Sequence, residues 1–259
     1  MIKSLILKNI NFLYSLNNTK IIILGNQKSG TTAIAKLLAL STGEEVLLDS
    51  PLLWEPNFSK IHSGKIQLKD LITRNKYYFA RSIIKEPNLT FLYDELKSIY
   101  PSSVKFIYIV RDPRDHIRSL LNRINVPGDL SDISDYEEKF TIHEKNLFDK
   151  NLIAYSSDHY IGQLAERWVT AVHVFLNSRA DFHLVKYEDF INDKVNFIHQ
   201  LSEKMGYQPK NDISAYVDIQ YQPKGNQNIS WNDFFGSKNL KKIESTCEIH
   251  MKKLGYRIE

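Results

Sequence analysis

Two groups of residues in this 259-residue chain have the types and spacing to hold a polyanion. The first is Gly25-Asn26-Gln27-Lys28-Ser29-Gly30-Thr31-Thr32, a stretch of glycines, hydroxyls and one lysine. Backbone N–H groups, an ammonium and the positive end of a following helix dipole would converge there on a phosphate. The second is Arg111-Asp112-Pro113-Arg114-Asp115, with Ser119 further on. An arginine fork and a hydroxyl brought together suit a terminal phosphate.

Both groups need the same support, a strand before and a helix after. Ile21-Ile22-Ile23-Leu24 precedes the first, and Val104-Lys105-Phe106-Ile107-Tyr108-Ile109-Val110 precedes the second. Both read as buried parallel strands. Residues 33–40 are good helix formers with an apolar face. After the second strand, Asp112 is a good N-cap and Pro113 suits the first helical position. Ile117, Leu120, Leu121 and Ile124 then form an apolar helical face. Arg111 thus falls at the carboxyl end of a strand, where open α/β sheets bind ligands.

The place of the lysine separates two kinds of phosphate loop. A nucleoside-triphosphatase loop reads G-x-x-x-x-G-K-[ST], and its final hydroxyl binds magnesium. Gly25 and Gly30 keep the glycine spacing here, but Thr31 stands where that lysine belongs and the lysine is Lys28. The order Lys-Ser-Gly-Thr-Thr resembles instead the 5′-phosphosulfate loop of sulfotransferases that use 3′-phosphoadenosine 5′-phosphosulfate (PAPS). Arg111 and Ser119 stand on the matching positions of that family's 3′-phosphate motif. The resemblance spans roughly residues 20 to 205, in the family's order, closest in style to bacterial and carbohydrate-type members.

The resemblance implies further roles. Gly25, Lys28, Ser29, Gly30, Thr31, Thr32, Arg111 and Ser119 would bind PAPS or its product PAP. Lys85, ending the segment Ser82-Ile83-Ile84-Lys85 before a proline turn, looks like the family's lysine beside the sulfuryl group. Tyr187-Glu188-Asp189 resembles the segment near adenine, and Lys224 of Pro223-Lys224-Gly225 would cover the 3′-phosphate. No metal is implied, because cationic side chains take the role magnesium plays in phosphoryl transfer. The chain also departs from the pattern. Ala33 replaces a tryptophan common after the two threonines, and no histidine follows Lys85 to act as base. Carbohydrate-type members use a carboxylate, for which Glu55 in Leu53-Trp54-Glu55-Pro56 is the first choice and Asp49 the second. Glu86 and His116 follow, and His62 is a loop histidine with no partner in view. Trp54 either stacks on a sugar or packs in the core, with packing favoured.

The remaining segments alternate strand and helix. The pattern predicts strands at 21–25, 45–49, 82–85 and 104–110, and another within 182–190. Helices are expected at 30–41, within 51–80, and at 89–99, 113–124 and 159–179. Such alternation implies right-handed crossovers and an α/β fold of three layers, with a central parallel sheet of four to five strands, like a P-loop NTPase. Ile161, Leu164, Trp168, Ala171, Val172 and Phe175 share one helical face and read as core. Residues 125–150 are acidic and turn-rich, and 125–160 reads as an insertion over the acceptor site. Residues 1–20 read as a short helix or strand on the sheet.

Composition bounds the rest. A chain of this length suits one domain, spanning residues 1–259. A hydrophobic content of 42% and a charged content of 25% are ordinary for a globular protein. The net charge of +4 suits a polyanionic cofactor better than a nucleic-acid surface. One cysteine, Cys247, allows no internal disulfide and fits a reducing, cytoplasmic setting. No apolar run nears the ~20 residues of a membrane span. The expected function is sulfuryl transfer from PAPS to an acceptor hydroxyl on a carbohydrate or small metabolite. Two alternatives stay open: an ATP-dependent phosphotransferase, and a PAP-binding protein without catalysis. Neither the acceptor nor the oligomeric state is legible.

Overall fold

Alternate side chains of an aliphatic strand point to opposite faces, so a run such as Ile21–Leu24 must be covered on both. The computed structural model, which describes residues 11–219 and 229–258, shows that arrangement. The chain runs β1 (Ile21–Gly25), α1 (Thr31–Thr42), β2 (Val46–Leu48) and β3 (Ile83–Lys85). Next come α2 (Tyr93–Ile99), β4 (Lys105–Val110), α3 (Pro113–Arg123) and α4 (Tyr160–Asn177). β5 (Phe182–Lys186), α5 (Tyr187–Asn192), α6 (Lys194–Lys204) and α7 (Trp231–Lys253) complete it. Short helices at Asn57–His62, Leu68–Arg74 and Lys76–Phe79 link β2 to β3.

The five strands pair in parallel in the order β2-β3-β1-β4-β5. Ile21 and Ile23 face a layer built from α1 and α6, with Ile34, Leu37, Leu38, Ile198 and Leu201. Ile22 and Leu24 face the larger layer, where Leu96, Ile117, Leu164, Trp168 and Ile243 meet. The result is three layers. From central β1 the chain crosses to the edge strand β2, returns to place β3 beside β1, and then builds outwards on the other side (β4, β5). That reversal opens a crevice between the carboxyl ends of β1 and β4, where ligands bind in such sheets.

Local differences from the expected elements have physical causes. β2 stops at Leu48 because Asp49 adopts a left-handed backbone (φ 46°), which turns the chain out of the sheet. Residues 87–92 wind as a 3₁₀ helix before α2 begins at Tyr93. Here the Thr90 hydroxyl accepts from Gly25 N (2.9 Å) and donates to Gly25 O (3.1 Å), drawing this turn against β1. Residues 11–18 form two 3₁₀ turns, and Leu16 packs on the larger core. The insertion buries Ile133, Phe140, Leu147, Ile153 and Tyr155. Apolar anchors therefore fold it onto the core despite its acidic surface.

Candidate functional site

The first of the two groups expected to hold a polyanion folds as a tight loop beneath the crevice. Gly25 (φ 131°) can only be glycine, since a Cβ there would lie 2.2 Å from the Ile109 carbonyl oxygen. Gly30 (φ 82°) is equally constrained, its missing Cβ falling 2.2 Å from Tyr187 Cδ2. Lys28 takes a left-handed conformation (φ 66°) that a side chain rarely adopts, a strain typical of ligand-holding loops. Gly30 caps α1 without a side-chain bond, leaving the first N–H groups of the helix available to an anion. Burial, followed by the charges of Arg123 and Arg111, pulls the Lys28 ammonium down to about 8.

The second group closes the crevice from β4 and α3. Asp112 accepts from Arg114 N and caps α3, and Pro113 occupies the first turn. The Trp168 indole donates to the Arg111 carbonyl (2.9 Å) and fixes the strand end. Arg111 Nη1 donates to the Lys28 carbonyl (3.2 Å), tying the two loops together. Its guanidinium lies 4.6 Å from the Tyr187 ring centre, and its Nε is buried without a hydrogen-bond partner. A buried donor left unmatched in an otherwise satisfied structure calls for an acceptor arriving from outside. The uncapped helix and this orphaned donor both fit a polyanionic nucleotide.

The third corner lies at the end of β3. Lys85 is almost wholly buried, and its Nζ meets Asp49 Oδ1 at 2.5 Å, with the Asp49 side chain 42% exposed. Beside this pair, the Glu86 carboxyl accepts from Ser50 N (3.0 Å) and Asn88 N (3.3 Å). Burial, then the Asp49 charge, pushes Glu86 up to about 8 against the opposing pull of Lys85. A carboxyl that ionises near 4.5 unfolded and near 8 folded binds its proton more tightly in the fold. Its contribution to stability is complete below pH 4.5 and fades as pH rises through 8. Buried His116, pushed down to about 3, weakens the fold as pH falls below 6.5. Denaturation midpoints are therefore expected to fall between pH 6.5 and 8, where Glu86 acts alone of the two, and Glu86→Gln should flatten that slope. A wild-type midpoint that is level across this window would refute the assignment.

Together these corners line a cleft of about 770 Å³. Of the residues expected from the sequence, Lys28, Gly30, Thr31, Thr32, Asp49, Glu55, Lys85, Glu86, Arg111, Ser119 and Tyr187 line it. Gly25 and Ser29 do not; Ser29 is buried beneath the loop, its hydroxyl unbonded. His116 is buried behind the wall, and His62 lines a separate smaller cavity. Lys224 lies outside the described residues. Trp54 is not core: Leu53 takes the buried place, leaving Trp54 46% exposed on the cleft rim, edge-on to His143. Glu55 accepts from Ser59 (2.8 Å) and from Asn146, which links the rim to the insertion.

Arg118, Arg123, Arg167 and Lys194 also line the cleft and are not among the residues expected there. A signal existed for two of them, because Arg118 lies beside Ser119 and Arg123 one turn further along the same helix. Arg123 bonds Gln27 in the loop (3.2 Å). Ala33, Phe190, Val217 and Ile219 form an apolar end beside Tyr187. Among the described residues no cluster of three or more His, Cys, Asp or Glu side chains could hold a metal ion. Nor is any described helix long and apolar enough to cross a membrane.

The fold is α/β of the P-loop-like class, with a cation-lined cleft at the carboxyl ends of its strands. The family model of the sulfotransferase domain matches residues 18–221, and the chain belongs to that family. It is a sulfotransferase by family, an enzyme of sulfuryl transfer. Sulfotransferase STF9 from Mycobacterium avium aligns over 97% of this chain and 80% of its own, at 11% identity and a TM-score of 0.60. Sulfotransferase STF1 from Mycobacterium tuberculosis H37Rv aligns over 94% and 80%, at 14% identity and a TM-score of 0.50. The sulfotransferase domain from the curacin biosynthetic pathway aligns over 93% and 99%, at 13% identity and a TM-score of 0.50. These likenesses are of fold. Among curated proteins none matches the sequence.

Proposed function

We propose that this enzyme transfers the sulfuryl group of PAPS to a hydroxyl of a carbohydrate or small metabolite, acting as a single cytoplasmic domain. One observation carries the cofactor assignment: the Lys28 loop and the Arg111–Ser119 group meet across one crevice, with an uncapped helix and an unmatched arginine donor facing it. The separation into two cationic corners suits a nucleotide phosphorylated at both ends. Gly30, Thr31, Thr32 and Lys28 would hold the 5′ side, with Gly25 and Ser29 shaping the loop from below. Arg111 and Ser119, with Arg118 nearby, would hold the 3′-phosphate. The apolar end around Tyr187 would take the base.

When bound, PAPS supplies the sulfuryl group and PAP remains as product. Lys28 and the α1 N–H groups hold the charge that builds on the leaving phosphate, as preorganised donors do. Lys85 neutralises the sulfuryl oxygens. A carboxylate then takes the acceptor proton. Glu55 and Asp49 both face the cleft, but Asp49 touches Lys85 whereas Glu55 is held by Ser59 and Asn146 on the insertion side. That contact favours Asp49 as base and Glu55 as a wall of the acceptor pocket. Residues 125–160, contributing His143, Asn146 and Leu147, form its lid.

Calorimetric titration without magnesium tests the cofactor. PAP is expected to bind about tenfold or more tightly than ADP or AMP, a preference lost in Arg111→Ala. Equal binding of PAP and ADP to the wild type would sink the assignment.

A further inference from the structure

Arg167, on α4, is only 4% exposed, yet it lines the cleft. It forms no ion pair with a described carboxylate; the acids nearest the cleft answer Lys85, Arg118 and Lys194 instead. Glu55, the one acid of this wall, accepts from Ser59 and Asn146. The groups in contact with the guanidinium are neutral, while the charges of Glu55 and Asp149 reach only as far as the neighbouring His62 and Tyr155. The guanidinium sits 4.6 Å from the centre of the Phe91 ring and beside the Tyr155 hydroxyl, which donates to the Leu147 carbonyl (2.8 Å). His116, kept neutral by its burial and then by the charges of Arg111 and Arg167, adds no anion. A buried charge without a counter-ion is costly, and a fold keeps one in a cleft wall where a ligand can complete it.

Its surroundings separate it from the nucleotide corners. Tyr155 joins it to Leu147, and His62, which feels its charge, packs on Phe58 at 4.5 Å. Leu147 and Phe58 belong to the cleft wall with Trp54 and Asn146, on the lid side. The phosphate-facing cations instead cluster on the Lys28 loop and α3. The geometry points to Arg167 as the anchor for an oxyanion carried by the acceptor itself, a carboxylate or a sulfate. The acceptor class is then an acidic or already sulfated molecule rather than a neutral one. This rests on the sulfotransferase reading of the cleft given above.

The test uses the full chain saturated with PAP, titrated by calorimetry with glucuronate, glucose 6-sulfate and glucose. At least one anion is expected to bind about tenfold or more tightly than glucose, the range of a charge-assisted pair. Which anion wins distinguishes carboxylate from sulfate. Arg167→Gln should abolish the preference while leaving PAP affinity unchanged, and Arg167→Lys should retain part of it. Thermal midpoints of the Gln variant are expected at or above wild type, because an unpaired buried charge has been removed. Three results would overturn the inference: no anion preference in the wild type, a preference that survives Arg167→Gln, or a loss of PAP affinity in that variant. Failure of the wild type to bind PAP, seen before any sugar is added, would instead remove the reading beneath it.

Discussion

Replacing Lys28 by methionine is expected to lower turnover by ~10²-fold or more. Methionine keeps most of the apolar stem and meets the same left-handed backbone, so the variant removes the ammonium while leaving the loop's backbone conformation in place. The ammonium sits in a loop whose other donors are neutral N–H groups and hydroxyls, with Arg111 reaching only its carbonyl. Charge building on a leaving phosphate in the transition state would then lose its nearest cation. The effect should fall on kcat more than on KM, because the lysine answers charge that develops during reaction. A second signature follows from the lowered ammonium, which titrates at about 8 in the free protein. A bound anion favours the protonated form, so PAP affinity should decline as pH rises past 8. In Lys28→Met that decline should vanish. A variant with unchanged kcat, or a wild type with pH-independent affinity up to pH 10, would contradict the role.

The second large effect is expected at Asp49. Asparagine in its place should cut kcat by ~10²- to 10⁴-fold, the range of a lost general base, with PAP binding preserved. The substitution is gentle on the backbone, since asparagine tolerates the left-handed conformation seen there. It is less gentle on Lys85, which loses its charged partner while almost wholly buried. The pH profile separates the two consequences. Loss of a base removes the acid limb of kcat/KM, whereas a displaced lysine lowers the whole curve and keeps its shape. Glu55→Gln is the matched control, expected to raise acceptor KM through its bonds to Ser59 and Asn146 and to spare the acid limb. If the limb disappears in Glu55→Gln and persists in Asp49→Asn, the roles exchange.

What could be read from residues in order was what depends on neighbours in the chain. β1, its glycine turn and α1 form one continuous local signal, and so do β4, the Asp112 cap and α3. These set the sheet, the crevice and most of the expected residues that line it. Rotation of a side chain about its own backbone was less legible. Ser29 and Thr31 look interchangeable as hydroxyls and both are buried, but only Thr31 reaches the cleft wall. Partners far apart in sequence were not legible at all. Arg114 and Arg118 belong to the same basic stretch, yet Arg114 turns inward to Asp112 and Glu244 while Arg118 reaches the cleft. Only α7, folding back across α3, decides between them. The same holds for Arg167, whose helix was rightly read as core but whose one cationic side chain emerges into the cleft.

The cleft is made from two kinds of chain. The Lys28 loop and Arg111 stand on the ends of β1 and β4, in the middle of the sheet, whereas Trp54, Glu55, His143 and Asn146 come from excursions outside it. Those excursions are anchored by apolar side chains in the core, Leu53, Ile61 and Phe79 from one and Ile133, Phe140 and Leu147 from the other, and Asn146 joins the two through Glu55. Their cleft-facing residues, Trp54, Glu55 and His143 among them, can therefore be varied while those anchors and the sheet-borne half stay in place. Selection, natural or in the laboratory, can exchange what is sulfated without having to reinvent how the sulfate is delivered.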